Sequence, residues 1–148
     1  MLKQFVVFPL EDELYGVDIH QVMRIEKMLP LTRVPNAPSF VIGVCNLRGS
    51  VIPVIDLKQR LTLPSNIDEN AKIIFVHVGK QVVGMTIDSS VDVTSIDSDE
   101  IEPSPSLVTG IDSQFIQGVA KISNRLLIVL DMERVLTLDQ LNVLADLD

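Results

Sequence analysis

The chain has 148 residues, 47% of them hydrophobic and none of them Trp, a composition typical of a sheet protein with an aliphatic core. Its net charge of −8 argues against a nucleic-acid partner, which requires a basic face, and against direct binding to anionic lipid. The longest apolar run free of Gly and Pro, Leu126 to Leu130, has five residues, whereas a membrane-spanning helix needs about 20.

The first patterned elements are two hairpins, each with a β-rich strand, a short turn and a returning strand. They are predicted at 4–8, 11–13 and 14–19 in the first half of the chain, and at 73–78, 79–80 and 81–87 in the second. Gly16 and Gly84 fall inside the two returning strands. A glycine at such a position predicts a bulge or a close approach of other backbone.

A longer repeat follows each hairpin. After a Val-x-x-Ile pattern, at 22–25 and at 93–96, each half has a loop with two prolines and then an eighteen-residue segment. These segments, 40–57 and 115–132, align without a gap at a constant offset of 75 residues. Phe, Gly, Val, Val and Asp recur identically, so one supersecondary unit is predicted to be used twice.

Each long repeat is predicted to contain a hairpin, with two-residue turns at Arg48-Gly49 and Ser123-Asn124. Gly49 and Asn124 align, and these residue types best tolerate the positive φ of a tight turn. Pro53 lies in the strand that follows the first turn. Because proline donates no N–H, we predict a sheet edge or a bulge at this position.

Asp56 and Asp131 end the two repeats at equivalent positions, before residues compatible with a helix. This position favours helix capping over a catalytic pair of carboxylates. Near the end of the chain, Thr137 and Gln140 fit a capping box, and leucines follow at a spacing of three. We predict a short C-terminal helix there, lying over an open end of the sheet structure.

The repeat spans nearly the whole chain as two halves of roughly 65–70 residues, each marginally stable alone. Only residues 58–70 separate them, so we expect the halves to share a hydrophobic core. Each half is expected to close as a small barrel, because closure removes exposed sheet edges. The predicted fold class is therefore all-β in the main, with short helices.

Few residues could support catalysis. His20 and His77 are the only histidines, and the nucleophile-elbow, P-loop and dinucleotide-binding motifs do not occur. The acidic run from Asp88 to Glu102 lacks the residue order of a calcium loop, and one Cys with two His does not suffice for structural zinc. Cys45, which aligns with Ala120, is interpreted as a small buried residue. We expect no enzyme activity, metal or cofactor.

Arg48 occupies the turn where the two copies of the repeat differ most. A guanidinium held out from a sheet offers a rigid fork of donors, although a solvated turn arginine has the same sequence pattern. The apolar residues that could flank it are Val22, Met23, Val51 and Ile52. An arginine beside aliphatic surface is a common anchor for a protein partner, which favours a binding module.

Residues 43–57 read Gly-Val-Cys-Asn-Leu-Arg-Gly-Ser-Val-Ile-Pro-Val-Ile-Asp-Leu. This segment resembles the signature G-V-x-N-L-R-G-x-[IV]-x-P-[VI]-[IV]-D-L of CheW, the coupling protein family of bacterial chemotaxis. Other segments similar to this family are 15–19, 34–38, 101–103 and 118–131. The similarity covers about residues 4–136.

The resemblance implies two intertwined five-stranded barrels of SH3-like type around a common hydrophobic core. They would form a single domain, 1–148, whose halves at about 15–70 and 80–136 exchange strands. The implied function is a non-enzymatic adaptor that joins the cytoplasmic tips of methyl-accepting chemoreceptors to the histidine kinase CheA, whose regulatory domain has the same fold. The N-terminal segment lacks a signal-peptide cleavage region, so we expect a cytoplasmic protein recruited to membrane-associated receptor arrays.

The family also implies which residues bind. The receptor-binding residues, in and beside the groove between the barrels, would be Arg48, Val22, Arg24 and Val93. The turn residues near this site would be Asn46 and Gly49, and the kinase would contact a barrel end around Ile73 and Ile74. Arg24 departs from the family pattern, because many members carry Glu there. We hypothesise that the cognate receptor or kinase carries a compensating acid.

Two alternatives remain open at this point. The chain could be a CheW-like adaptor of another chemosensory pathway, such as pilus motility, which sequence alone does not distinguish from flagellar chemotaxis. It could also be a small-ligand-binding β-barrel sensor. One Tyr and five Phe argue against that sensor, because they leave few aromatic walls for a cavity.

Overall fold

Ten β-strands dominate this computed structural model, which describes residues 1–65, 67, 69–88, 90–103 and 115–136. The first five are β1 (Leu2–Leu10), β2 (Glu13–Asp18), β3 (Val22–Lys27), β4 (Val41–Leu47) and β5 (Ser50–Asp56). The others are β6 (Lys72–Val78), β7 (Gln81–Ile87), β8 (Asp92–Asp97), β9 (Ile116–Ile122) and β10 (Arg125–Leu130). Short helices are α1 (Leu57–Arg60) and α2 (Met132–Val135), with 3₁₀ turns at Ile19–Gln21 and Ser98–Glu100.

Each sheet combines strands from both halves of the chain. Sheet 1 has the order β8-β1-β2-β10-β9, and sheet 2 has the order β3-β6-β7-β5-β4. The hairpin that opens each half thus joins the last three strands of the other half, through parallel pairing of β2 with β10 and of β7 with β5. The predicted fold of two intertwined five-stranded barrels is confirmed, and we call them barrel 1 and barrel 2 after their sheets.

The core is continuous between the barrels. One cluster of buried side chains joins residues of sheet 1 with residues of sheet 2, and among its members are Phe8, Tyr15, Val17, Ile74, Val76 and Met85. Two smaller clusters lie within the individual barrels, one around Phe5 and Leu127 and one around Val54 and Phe75. Neither barrel therefore has a complete core of its own, as the size of the halves predicts.

An isolated bridge crosses each barrel beside a glycine of the repeat. Thr32 exchanges backbone hydrogen bonds of 2.8 and 2.9 Å with the residue after Gly43, and Glu102 does the same with the residue after Gly118. A Cβ atom on Gly43 would lie 2.7 Å from the Thr32 carbonyl oxygen, and one on Gly118 would lie 2.8 Å from that of Glu102. The glycine recurs in the repeat because another segment of backbone passes directly over it.

Gly16 and Gly84 contain no bulge, because the strand register is continuous through both. The predicted close approach exists, but side chains make it instead of backbone. A Cβ atom on Gly16 would lie 3.2 Å from Leu127 Cδ1, and one on Gly84 would lie 2.9 Å from Ile73 Cγ2. These glycines make room for large aliphatic residues on neighbouring strands.

Pro53 does not lie at a sheet edge, because β5 is between β4 and β7. Its missing N–H is needed by neither neighbour. The pairing of β5 with β7 begins one residue later, at Val54, and the residue opposite Pro53 on β4, Val44, directs both backbone groups to Thr32. The irregularity lies in the partner strand, where the register of β4 shifts just before Gly43.

Asp56 and Asp131 are confirmed as helix N-caps. The Asp56 side chain accepts the Gln59 N–H at 3.2 Å at the start of α1, and Asp131 accepts the Glu133 N–H at 3.2 Å at the start of α2. Asp56 also accepts a hydrogen bond from the Ser65 hydroxyl. The C-terminal helix predicted after Thr137 lies outside the described residues.

Candidate functional site

The β4–β5 hairpin ends in a two-residue turn. Arg48 and Gly49 have φ values of 53° and 87°, and positive φ at both central residues is the pattern of a type I′ turn. Asn46 Oδ1 accepts the Gly49 N–H at 2.9 Å and closes the turn. The β9–β10 hairpin has the same geometry, with φ of 45° at Ser123 and 69° at Asn124. The positive φ predicted for Gly49 and Asn124 is confirmed.

Arg48 adopts a backbone conformation that its residue type disfavours. The left-handed region costs an L-residue other than Gly roughly 1–2 kcal/mol, less for Asn or Asp. The Arg48 side chain is exposed, and its guanidinium has no ion pair or hydrogen bond within the described residues. Because no such contact offsets the strain, Arg48 is the strongest candidate for a binding residue.

The apolar surface beside Arg48 is narrower than predicted. Val51, opposite Asn46 across the hairpin, exposes 44% of its surface, and Met23 on β3 exposes 42%. Val22 is partly buried against the shared core, and Ile52 is only 6% exposed. Val51 is therefore the exposed apolar residue of this hairpin, and Ile52 belongs to the interior of barrel 2.

Arg24 lies on β3, at one edge of sheet 2, and its cation is paired within the same strand. Arg24 Nη2 forms an ion pair with Glu26, and both side chains are about one third exposed. The Arg24 Nε atom is buried without a hydrogen-bond partner among the described residues. Glu26 therefore already compensates the positive charge of Arg24.

Val93 lies on the other barrel. It is 50% exposed on β8, the edge strand of sheet 1, opposite Val6 of β1. The predicted receptor-binding residues thus occupy edge strands of both barrels, Val22 and Arg24 on β3 and Val93 on β8, while Arg48 lies at a hairpin tip of barrel 2. None of these four residues is fully buried.

Ile73 and Ile74 do not fit the predicted kinase contact. Each is 0% exposed on β6, which lies between β3 and β7 in sheet 2. Ile73 packs in the cluster within barrel 2 and Ile74 in the shared core. Both faces of this strand are covered, which a continuous apolar run also signals in sequence. A contact near these residues must use other, exposed side chains.

The ionisable residues have structural roles or lie apart. Among the described residues, no group of three or more His, Cys, Asp or Glu is arranged to hold a metal ion. Asp56 and Asp131 are engaged as helix caps, and Cys45 is 3% exposed, with burial raising the pKa of its thiol. In the same part of the chain, no helix is long and apolar enough to cross a membrane.

A family model described as the CheW-like domain matches residues 4–140. The chain belongs to the CheW-like family. Chemotaxis protein CheW of Bacillus subtilis is 37% identical over 135 residues, which are 90% of this chain and 86% of that protein. Chemotaxis protein CheW of Klebsiella aerogenes is 34% identical over 140 residues, 94% of this chain and 84% of that protein.

A solved structure agrees with this membership of the CheW-like family. The crystal structure of the scaffolding protein TtCheW from Thermoanaerobacter tengcongensis matches with a TM-score of 0.86 at 38% identity, over 95% of this chain and 91% of that chain. The resemblance inferred from residues 43–57 is confirmed. The protein is a scaffold of bacterial chemotaxis signal transduction.

Proposed function

We propose that this protein is a non-enzymatic adaptor that couples methyl-accepting chemoreceptors to the histidine kinase CheA. The observation that carries the proposal is the β4–β5 turn, where Arg48 is exposed with a φ of 53°. A strained, solvent-facing arginine beside the exposed Val51 suits contact with a protein. Membership in a chemotaxis family supplies the class of partner.

On the receptor side, Arg48 is the central contact, and Val22, Arg24 and Val93 are further contacts on the edge strands β3 and β8. The fork of guanidinium donors requires acceptors on the receptor, either a carboxylate or backbone carbonyls. Asn46 and Gly49 act indirectly, because the hydrogen bond between them sets the turn from which Arg48 projects.

Coupling follows from holding two partners at once. A partner bound to the adaptor meets the other partner at a high effective concentration, so that modest individual contacts yield a stable assembly. A signal passes only if the two states of the receptor contact the complex differently. The adaptor needs no bond-making chemistry for either step.

The proposed location is the cytoplasm, with recruitment to membrane-associated receptor arrays. The net charge of −8 disfavours direct attraction to anionic lipid. Recruitment through the receptor tip would therefore be the dominant route.

The test is a pull-down and a kinase-activity assay with CheA and a receptor cytoplasmic fragment from the same organism. Wild type is compared with Arg48→Ala and Arg48→Asn, since Asn removes the guanidinium but suits a positive φ. Both variants should lose the receptor fragment and retain CheA. Arg125→Ala, on the equivalent hairpin, should retain both partners. Wild type that binds neither partner, or Arg48→Asn that binds the receptor normally, would refute the proposal.

A further inference from the structure

Met23 occupies an irregular position on the edge strand β3. Its neighbours Val22 and Arg24 lie opposite consecutive residues of β6, so Met23 is the extra residue of a β-bulge and has no partner residue in the pairing. Its side chain is 42% exposed, although methionine is among the residue types most often buried. Bulges at sheet edges re-aim side chains, and this one exposes a thioether to solvent.

The other four methionines of the chain differ from Met23. Met85 and Met132 are 1% exposed within the shared core, and Met28 is partly buried against the cluster within barrel 2. Met1 is 86% exposed, but it precedes β1 and belongs to no strand. Met23 is therefore the methionine whose sulfur is accessible on the surface of a sheet.

An exposed thioether can be oxidised reversibly. The sulfur of Met23 would attack the terminal oxygen of a hydroperoxide, so that an S–O bond forms and the O–O bond breaks. Sulfur loses two electrons, and the remaining peroxide oxygen takes up the proton and leaves as an alcohol or, from hydrogen peroxide, as water. The product is a polar sulfoxide, which sulfoxide reductases return to the thioether. The competing thiol of Cys45 is only 3% exposed.

Met23 lies within the proposed receptor-binding surface, because Val22 and Arg24 flank it on β3. Val22 is partly buried against the shared core, and the Arg24 cation is engaged in an ion pair. The exposed apolar surface of this stretch of β3 therefore belongs mainly to Met23. Its exposed fraction is close to the 44% of Val51 and the 50% of Val93.

We propose that Met23 is a reversible oxidation site through which a hydroperoxide weakens binding of the receptor. The reduced thioether packs on apolar receptor side chains, because its unbranched, flexible chain fits irregular surfaces. The sulfoxide oxygen is a hydrated acceptor, and docking removes its water without supplying a donor. This inference rests on the proposed adaptor function and adds regulation to the same receptor-binding surface.

The test compares full-length wild type with Met23→Leu, before and after treatment with hydrogen peroxide. Leucine keeps the apolar volume but cannot be oxidised, so untreated Met23→Leu should bind the receptor fragment within about threefold of wild type. Peroxide should lower the affinity of wild type for the receptor fragment by about tenfold and leave that of Met23→Leu unchanged. Affinity for CheA should not change in either protein. Both proteins retain Met1, so an effect of oxidation there would appear in both.

Further readouts connect the loss of binding to the sulfoxide itself. Peptide mass spectrometry should find it at Met23 and Met1 well before it forms at the buried Met85 and Met132. Methionine sulfoxide reductases A and B with dithiothreitol should restore the receptor affinity of oxidised wild type. Met23→Gln, which places a polar group there without oxidant, should lower receptor affinity by about tenfold.

Each failure has a distinct meaning. If untreated wild type binds neither partner, the adaptor function and this inference are both wrong. If it binds both partners and oxidation of Met23 leaves receptor affinity unchanged, the adaptor function stands and Met23 is not a regulatory site. If oxidation lowers the affinity for CheA as well, or lowers the midpoint of thermal unfolding, damage to the fold explains the loss and this inference is wrong.

Discussion

Phe40 and Phe115 both contact the guanidinium of Arg60 with their rings. They occupy equivalent positions in the repeat, one before β4 and one before β9, and their ring centres lie 5.6 and 4.7 Å from Arg60 Cζ. Their carbonyl oxygens accept the N–H groups of the capping residues Asp56, at 2.8 Å, and Asp131, at 2.9 Å. Arg60, at the end of α1, thus connects the two barrels at matching points.

Arg60→Ala should lower the free energy of unfolding by about 1–3 kcal/mol, because both cation–π contacts and the packing of the aliphatic stem are lost. The free energy of unfolding of Arg60→Lys should lie between those of wild type and Arg60→Ala, since an ammonium keeps the charge without the planar stacking. Urea unfolding measures the effect. The exposed Arg33 provides the control, and Arg33→Ala should change the free energy of unfolding by less than about 0.5 kcal/mol. Equal effects at both arginines would show that the ring contacts contribute nothing.

Gly43→Ala and Gly118→Ala should each destabilise the protein by about 2 kcal/mol or more, because the new Cβ would overlap a backbone carbonyl that no side-chain rotation can move. Gly79→Ala is the matched control. Its φ of 62° also disfavours alanine, but no atom lies within 4 Å of the new Cβ, so only the strain of about 1 kcal/mol applies. Thermal unfolding of the three variants shows whether the clash with backbone or the strain of a positive φ destabilises the protein more. A larger effect at Gly79 would contradict the crossing-segment explanation.

Arg24→Glu should weaken binding of the cognate partner that faces β3 by about tenfold, since it places a second carboxylate beside Glu26 on one face of the strand. Exchanging the pair as Arg24→Glu with Glu26→Arg restores the ion pair but moves the cation. The double variant should therefore regain stability without regaining affinity. Calorimetric titration and thermal unfolding separate these effects. Tighter binding by Arg24→Glu than by wild type would eliminate a compensating acid on the partner.

Cys45 should resist alkylation by iodoacetamide in the native protein near neutral pH. Burial raises the pKa of its thiol, so at a given pH less of the reactive thiolate is present than for a free cysteine. Labelling should become fast when urea unfolds the chain and should then increase as pH rises toward the ordinary thiol pKa. Mass spectrometry follows the modification. Rapid labelling of the folded protein would mean that β4 opens locally.

Local chemistry made much of the fold predictable. The offset of 75 residues predicted that β4–β5 and β9–β10 are equivalent hairpins. The residue types at Gly49, Asn124, Asp56 and Asp131 indicated the turns and helix caps that the structure contains. Pro53 was misplaced because its role depends on which strands neighbour β5. That arrangement results from the exchange of hairpins between the halves, and no local sequence pattern predicts it.

The surface was harder to predict. The turn that projects Arg48 could be recognised from its residue types. The strain at Arg48 could not, because it is defined by the positive φ that only the structure gives. Ile73 and Ile74 were chosen by family position, and their complete burial depends on the strands on either side.

The exchanged hairpins determine the order in which the molecule can be assembled on the ribosome. All five strands of sheet 2 lie within residues 22–87 and can pair as soon as they emerge. Strands β1 and β2 are synthesised first but gain their sheet neighbours only when β8 and β10 have been made. Their open edges must therefore stay unpaired through most of translation, exposed to other nascent chains. Barrel 1, which contains the first two strands of this chain, is therefore the last to close.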